Sequence, residues 1–536
     1  MAIPWNVSFA AWLPFPIVSI LGILVVLGYF VYYKGKFLCL SGIVSISVVV
    51  ISICFIILLP VDVYLVSSTK DGHGAYMYWV DTETIISVES IVLYGYYGVY
   101  GLILLLTFGI VPFVYFTYPS HTSEEENNLN WMRGLKFVLG SLCILCVLLV
   151  TGAVIPMGDL PNKNSTLYKQ LAFVTDLDCT QTVAENALIF TINLLGLIGM
   201  VCAIIYTAYG MVILPVNLIK GPPKEEEQQG DLNHSIEEIK EKIQEIMDKT
   251  SSGQPLAEDD RKTLMQYSAH LSRLQSESDA IRHQSYTCCA QISCFTRPLK
   301  IAAGCLLLLF AWFIIVTLII SNINRLISSH GMYTGYLLKT QTIFNPLDSL
   351  LILAHIAFPC DYIILVLVIG YFAVSSVSGM QHMGIWCLWI QLHRLRAGRT
   401  SAKALLFSSY VLAVVTMYAG VLAYSIAPQY VTYGTQMYQV PDDHPWSSMD
   451  VISPLPCSAD APADKCIMTR LMTLQTKLFY RMWFIGVAYF WCGWFFILVF
   501  VIAFIVAVVR SRKTIAVMLD TDAREDSESA ERLIST

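Results

Sequence analysis

The sequence predicts an all-α polytopic membrane protein, with nine transmembrane helices in a 5+4 arrangement around a cytosolic helical-hairpin insert. Three observations predict it. Of 536 residues, 56% are hydrophobic and only 13% are charged, about half the charge of an ordinary globular chain. Apolar stretches long enough for a hydrocarbon core of about 30 Å fall at about 12–33, 40–66, 88–116, 135–155, 187–215, 299–320, 349–378, 404–426 and 482–509. The basic residues of the short loops lie on one side: Lys34 and Lys36, Arg133 and Lys136, then Arg394, Arg396, Arg399 and Lys403. Positive loops stay in the cytosol, which places the N-terminus in the lumen and the C-terminus in the cytosol. The bilayer is therefore the first partner, and a net charge of −6 argues against nucleic acid.

Taken in order, span 1 lacks a basic leader and a cleavage site, so it reads as a retained helix and not a signal peptide. Glycosylation acceptors at Asn6 and at Asn164 fall on the lumenal side, whereas the match at Asn233 falls on the cytosolic side and should be unused. Span 2 carries Pro60 and Asp62. Span 3 opens with Tyr94, Tyr96, Tyr97 and Tyr100 interleaved with Gly95, Gly98 and Gly101. Close helix approach at the glycines and a ligand-stacking tyrosine surface are the two readings. In span 4, Cys143 and Cys146 form a CxxC with no second pair nearby in sequence, which favours packing over zinc. Span 5 ends in Pro215 and Asn217.

Composition then turns polar. Ile236, Ile239, Ile243 and Ile246, and after a turn Leu264, Tyr267, Leu271 and Leu274, recur at helical spacing. This gives domains at 1–215 (spans 1–5), 216–298 (the cytosolic hairpin) and 299–509 (spans 6–9), with a disordered tail at 510–536. After span 7, residues 384–399 carry apolar side chains at three- to four-residue spacing and predict an interfacial helix, with continuation of span 7 as the alternative. The lumenal loop 427–481 contains Cys457 and Cys466, which an oxidising lumen should join, at roughly 2–3 kcal/mol of stabilisation.

Span 7 holds the main candidate site. It carries His355, Pro359 and Asp361 inside an apolar run. Counted from Ser349 at about 1.5 Å per residue, Asp361 lies about 18 Å deep, near the midplane, where a carboxyl costs a few kcal/mol unless paired, protonated or wet. Pro359 should kink the helix by depriving the His355 carbonyl of its donor. Asp361 thus reads either as part of a transport site or as a side chain satisfying loosened backbone. The same pattern recurs at Pro60/Asp62 and Pro215/Asn217, nearer helix ends, where the structural reading is preferred.

No GxxxxGK[ST], HExxH or nucleophile elbow is present, so the chain reads as a non-enzyme. The strings LLPVDVYLVS, VLYGYYGVYGLIL, IVPFVYF, YTAYGMVILPVNLIKG, RPLKI, GIWCLWIQLHRLRAGRTSAKALLF, SIAPQYVTYG and CSADAPADKC occur in order between about residue 55 and about residue 509. Together they resemble the limb-region (lipocalin-receptor-like) membrane protein family, in its lysosomal branch. The resemblance implies a lysosomal protein needed for cobalamin to leave for the cytosol, working with an ABC-type half transporter and a cytosolic cobalamin-processing protein. It also implies a second reading, a receptor or endocytic adaptor that meets a clathrin adaptor and the insulin receptor at the plasma membrane and in endocytic vesicles. Cobalamin enters as cargo, with no covalent cofactor, no metal site and no catalytic residue to carry over. A homodimer stays open. DGHGAY at Asp71 and His73 lacks the final glycine of the cobalt-ligating Asp-x-His-x-x-Gly pattern and reads as coincidence.

Overall fold

The computed structural model describes residues 5–12, 40–117, 126–154, 183–221, 289–339, 341–387, 390–393, 402–441, 452–458 and 465–509, with isolated positions between them. In chain order the helices begin with α1 (Trp5–Trp12), α2 (Leu40–Ser67), α3 (Thr82–Leu105), α4 (Val111–Thr117) and α5 (Glu126–Val154). Then come α6 (Val183–Cys202), α7 (Ala208–Lys220), α8 (Cys289–Ile327), α9 (Pro346–Ala354) and α10 (Cys360–Met383). A hairpin of β1 (Ile385–Cys387) and β2 (Ile390–His393) leads to α11 (Ala402–Ile426) and α12 (Pro428–Tyr433). A second hairpin, β3 (Met437–Pro441) and β4 (Ile452–Pro456), precedes α13 (Arg470–Arg481) and α14 (Trp483–Val509). Among the described residues, eight helical runs are long and apolar enough to cross a membrane. The first expected span, 12–33, lies largely outside those residues, as do the insert 216–298 up to the start of α8, Asn164, Asn233 and the tail 510–536.

The chain forms two compact units, Met1–Met211 with Ala311–Ile502, and Val212–Phe310 with Ala503–Thr536. In the first, α11 is the most enclosed of the membrane-length helices among the described residues, whereas α5 is almost wholly exposed. Lipid cannot drive helices together as water does, so small residues decide where they meet. A Cβ on Gly210 would stand 1.8 Å from the Ser375 carbonyl oxygen, and one on Gly379 would stand 2.0 Å from that of Tyr206. Only glycine permits this crossing. Beside it α6 and α7 are joined by a π-helical turn, Ala203–Thr207, and the Thr207 hydroxyl lies 2.7 Å from that of Ser376. In the second unit, the Lys220 ammonium donates to the Ala507 carbonyl at 2.8 Å.

Three sequence expectations need correction. The run 349–378 is not one helix. Asn345 caps α9, accepting from the Leu347 and Asp348 amides, and Pro346 takes the first helical position, so a separate short helix starts there. A 3-10 turn, His355–Ala357, and the Phe358–Pro359 junction follow, and the span proper begins at Cys360. The predicted interfacial helix after α10 is instead the β1–β2 hairpin. Gly384, with φ +74°, ends α10, and the aromatic and β-branched residues beyond it favour extended chain. The tyrosine-rich start of α3 also differs. Tyr96 and Tyr100 pack inward on Phe55, while a Cβ on Gly98 or Gly101 would meet nothing within 4 Å. Close approach uses other glycines.

Candidate functional site

Since α10 begins at Cys360, Asp361 lies in its first turn and not halfway along it, which corrects the midplane placement. A 24-residue helix is about 36 Å long, so the carboxylate stands at one end of the span. It is only 3% exposed, and its hydrogen bonds explain how it can be. One oxygen, Oδ1, accepts from the Tyr362 amide at 2.9 Å, covering an N–H that Pro359 at the cap cannot. The other, Oδ2, accepts from the Tyr430 hydroxyl at 2.8 Å and from His355 Nδ1 at 2.7 Å. The break at Pro359 makes this possible, because it turns His355 back toward the helix that follows. With Nδ1 held by the carboxylate, the imidazole is 28% exposed and its other nitrogen is left to act outward. Burial and the Asp361 charge push the Tyr430 phenol well above its ordinary range, so it stays a donor.

Asp62 shares the Pro-x-Asp pattern, yet α2 runs on through Pro60. Its carboxylate is 1% exposed and accepts from the Arg470 amide at 3.2 Å, the Leu471 amide at 3.1 Å and the Tyr96 hydroxyl at 3.3 Å. Those amides open α13, whose cap residue Thr469 spends its hydroxyl on the Val431 carbonyl instead. Asp62 therefore caps a helix 408 positions later in the chain. The Arg470 guanidinium in turn pairs with Glu89 of α3.

A third carboxylate, Asp348 of α9, was not singled out by sequence and does the same for α12. That helix starts after Ala427, which has no capping side chain. Asp348 accepts from the Tyr430 amide at 3.0 Å, the Gln429 amide at 3.4 Å and the Gln341 side chain at 3.3 Å. Burial raises its pKa to about 7 against the pull of these bonds. The carboxyl thus takes up a proton between neutral and mildly acidic pH. Asn345 binds the same corner together, donating to the Ile426 carbonyl at 2.9 Å. All three carboxylates sit at one end of the helices of the first unit, where α2 and α11 finish and α10 and α13 begin.

Arg325 was also missed. It lies in the last turn of α8 and is 2% exposed. Its guanidinium carbon stands 4.7 Å over the Tyr424 ring. Among the described residues no carboxylate pairs with it, and Nε and Nη2 have no hydrogen-bond partner. A buried unpaired ion costs several kcal/mol, more than the roughly 2 kcal/mol that a ring face or a helix C-terminus each returns at best. Its signal in the sequence is slight, since a basic residue ending a span reads as an interfacial anchor.

The segment beyond α12 is built on the second hairpin and a bond between the Cys457 and Cys466 sulfurs, whose Cα atoms are 5.9 Å apart. Lys70 donates to the Met437 and Lys465 carbonyls, and Gln439 to the His73 carbonyl at 3.2 Å, tying the loop after α2 to this hairpin. Asp71 Oδ1 accepts from the His73 and Ala75 amides within that loop, so the Asp71/His73 pair is a turn. Asn6 lies on α1. Cys143 and Cys146 are exposed on α5, which corrects their reading as packed side chains. Among the described residues no group of three metal-ligating side chains occurs.

Comparison with known proteins gives the chain its relatives. The profile of a family described as "LMBR1-like membrane protein" matches residues 9–293. Lysosomal cobalamin transport escort protein LMBD1 of Bos taurus is 34% identical over 503 residues, covering 92% of this chain and 91% of the relative. The protein of that name from Homo sapiens is 35% identical over 491 residues, covering 90% and 89%, and that from Danio rerio 34% over 484, covering 89% and 88%. No solved structure matches.

Proposed function

This chain belongs to the LMBR1-like membrane protein family, and from that premise we propose that it escorts the transport of cobalamin out of the lysosome. The observation that carries the reading is the identity of about a third to the cobalamin transport escort proteins along some nine-tenths of both chains. The absence of a phosphate loop from the sequence agrees with a division of labour in which an ABC-type half transporter supplies ATP hydrolysis. In this reading the chain is not an enzyme. It has nine spans arranged 5+4, with the N-terminus lumenal and the C-terminus cytosolic. The insert 216–298 and the tail meet cytosolic partners, among them a cobalamin-processing protein.

That topology places the end carrying Asp62, Asp348 and Asp361 toward the lumen, where cargo arrives. His355 is then the polar contact offered to it. The carboxylate fixes the imidazole's orientation, Tyr430 fixes the carboxylate, and Asp348 fixes the helix that carries Tyr430. Orientation through such a relay is how a flexible side chain becomes a defined binding group. Exposed Ile356 and Phe358 beside His355 supply apolar surface for a large ligand or a partner's helix.

The test is release of radiolabelled cobalamin from lysosomes of cells lacking their own escort protein. Expression of this chain should restore release. A correctly localised chain that restores none would overturn the reading.

A further inference from the structure

We infer that Arg325 belongs to an internal site for an oxyanionic group, a phosphate or a carboxylate, enclosed by α8, α11 and α14 in the first unit. Arg325 heads the largest fully buried side chains of the described residues, and it is the only cation among them. Among the described residues its Nε and Nη2 have no oxygen or nitrogen acceptor, and the guanidinium carbon stands 4.7 Å over the face of Tyr424. Unanswered donors are not confined to one side chain. Ser321 Oγ and Asn322 Nδ2 are also buried without partners. At about 100° per residue, positions 321, 322 and 325 fall within roughly 100° of arc on the same turn of α8. One helix face therefore presents a guanidinium fork, a hydroxyl and an amide, all able to donate and none answered.

The surroundings fit a planar or tetrahedral anion. Asn322 lies against Gly493 of α14, where a Cβ would stand 3.1 Å from Nδ2, so the glycine lets α14 approach the amide without a side chain between them. Two tyrosines six residues apart on α11 stand near the guanidinium: Tyr424 offers its ring face, and Tyr418 is close enough to interact electrostatically. A cation needs acceptors, and a neutral apolar group would leave every donor unsatisfied. An oxyanion answers the charge and the geometry together, since the guanidinium fork matches carboxylate or phosphate through two parallel bonds. The inference stands apart from the cobalamin reading. Its group could be carried by a free ion or by a phospholipid headgroup.

The experiment uses the full chain in phosphatidylcholine nanodiscs, melted in rising inorganic phosphate or acetate against chloride at matched ionic strength. Native mass spectrometry of the detergent-purified chain reports any retained oxyanion or anionic phospholipid. The expected result is a saturable rise in melting temperature of a few degrees at excess anion, or a co-purifying anionic molecule. Arg325→Gln should abolish either signal, and Arg325→Lys should weaken it about tenfold by removing the fork. Should Arg325→Gln fail to fold, Ser321→Ala and Asn322→Ala each remove one donor and should shift the titration, or the retained fraction, by about 2- to 10-fold. A soluble-anion response identifies a free ion as the source, and a retained phospholipid identifies a headgroup. A wild-type chain that neither responds to anions nor retains one overturns the inference. So does an unchanged response in Arg325→Gln, or in both single-donor variants.

Discussion

Asp62 and Asp361 come from the same three-letter pattern, a proline two residues before an aspartate in an apolar run, and the structure uses them in opposite ways. At Asp62 the helix continues and the carboxylate turns inward to hold the start of α13. At Asp361 the helix is interrupted, and one carboxylate oxygen is shared between a buried tyrosine and a half-buried histidine. The first faces only other parts of the fold, and the second reaches the surface through His355. A buried carboxylate in a membrane protein is therefore not evidence of function by its depth alone. What separates the two is whether the last partner in the chain of hydrogen bonds can be touched from outside.

This contrast can be broken first at Asp62. Asp62→Ala leaves two helical amides and the Tyr96 hydroxyl unanswered beside a buried Arg470–Glu89 pair. Removing one member of such a network costs about 3–5 kcal/mol, so the chain should melt several degrees lower or fail to accumulate, as thermal unfolding in detergent would record. A melting temperature within a degree of wild type would mean that α13 does not depend on this cap.

Asp348 sharpens the contrast through pH. Its folded-state pKa of about 7 lies above the ordinary carboxylate value. Its contribution is then fully present below about pH 4 and is lost as pH rises through 7, a change of a few kcal/mol. The chain should be more stable at mildly acidic than at neutral pH, and Asp348→Asn should flatten that slope. A slope unchanged by the substitution would assign the effect to another group.

Smaller effects on stability are expected at the relay itself. Asp361→Asn keeps an acceptor for Tyr430, and His355→Gln removes a side chain already partly in solvent. The first should cost about 1–2 kcal/mol, because one of two accepting oxygens is lost, and the second about 1 kcal/mol or less, measured in the same melts. A loss as large as that of Asp62→Ala would make Asp361 a structural residue after all.

The eight spans among the described residues were legible because apolar length is a local property, and so was the break at Pro359. Its consequence was not. Counting depth from Ser349 assumed one helix, although Asn345 followed by Pro346 is a recognisable start signal for another. The partners of Asp62 are out of reach of sequence reading, because α13 lies 408 positions away and Thr469 looks like an adequate cap on its own. Ala427 before α12 was the better clue, since a helix start with no capping side chain must borrow one. The glycines that set helix crossing, Gly210 and Gly379, sit singly, the second after Ser375, Ser376 and Ser378, whereas the conspicuous cluster at Gly95, Gly98 and Gly101 faces mostly open space. Arg325 could not be told from an interfacial anchor until its burial was known.

The most direct measurement compares cobalamin release by Asp361→Asn and Asp62→Asn, each expressed in cells without their own escort protein and normalised to the folded chain present in lysosomes. The account predicts that Asp361→Asn lowers release per folded molecule several-fold while Asp62→Asn lowers the amount of folded chain and leaves release per molecule near wild type. Normal release per molecule in Asp361→Asn, with the deficit in Asp62→Asn, would contradict it.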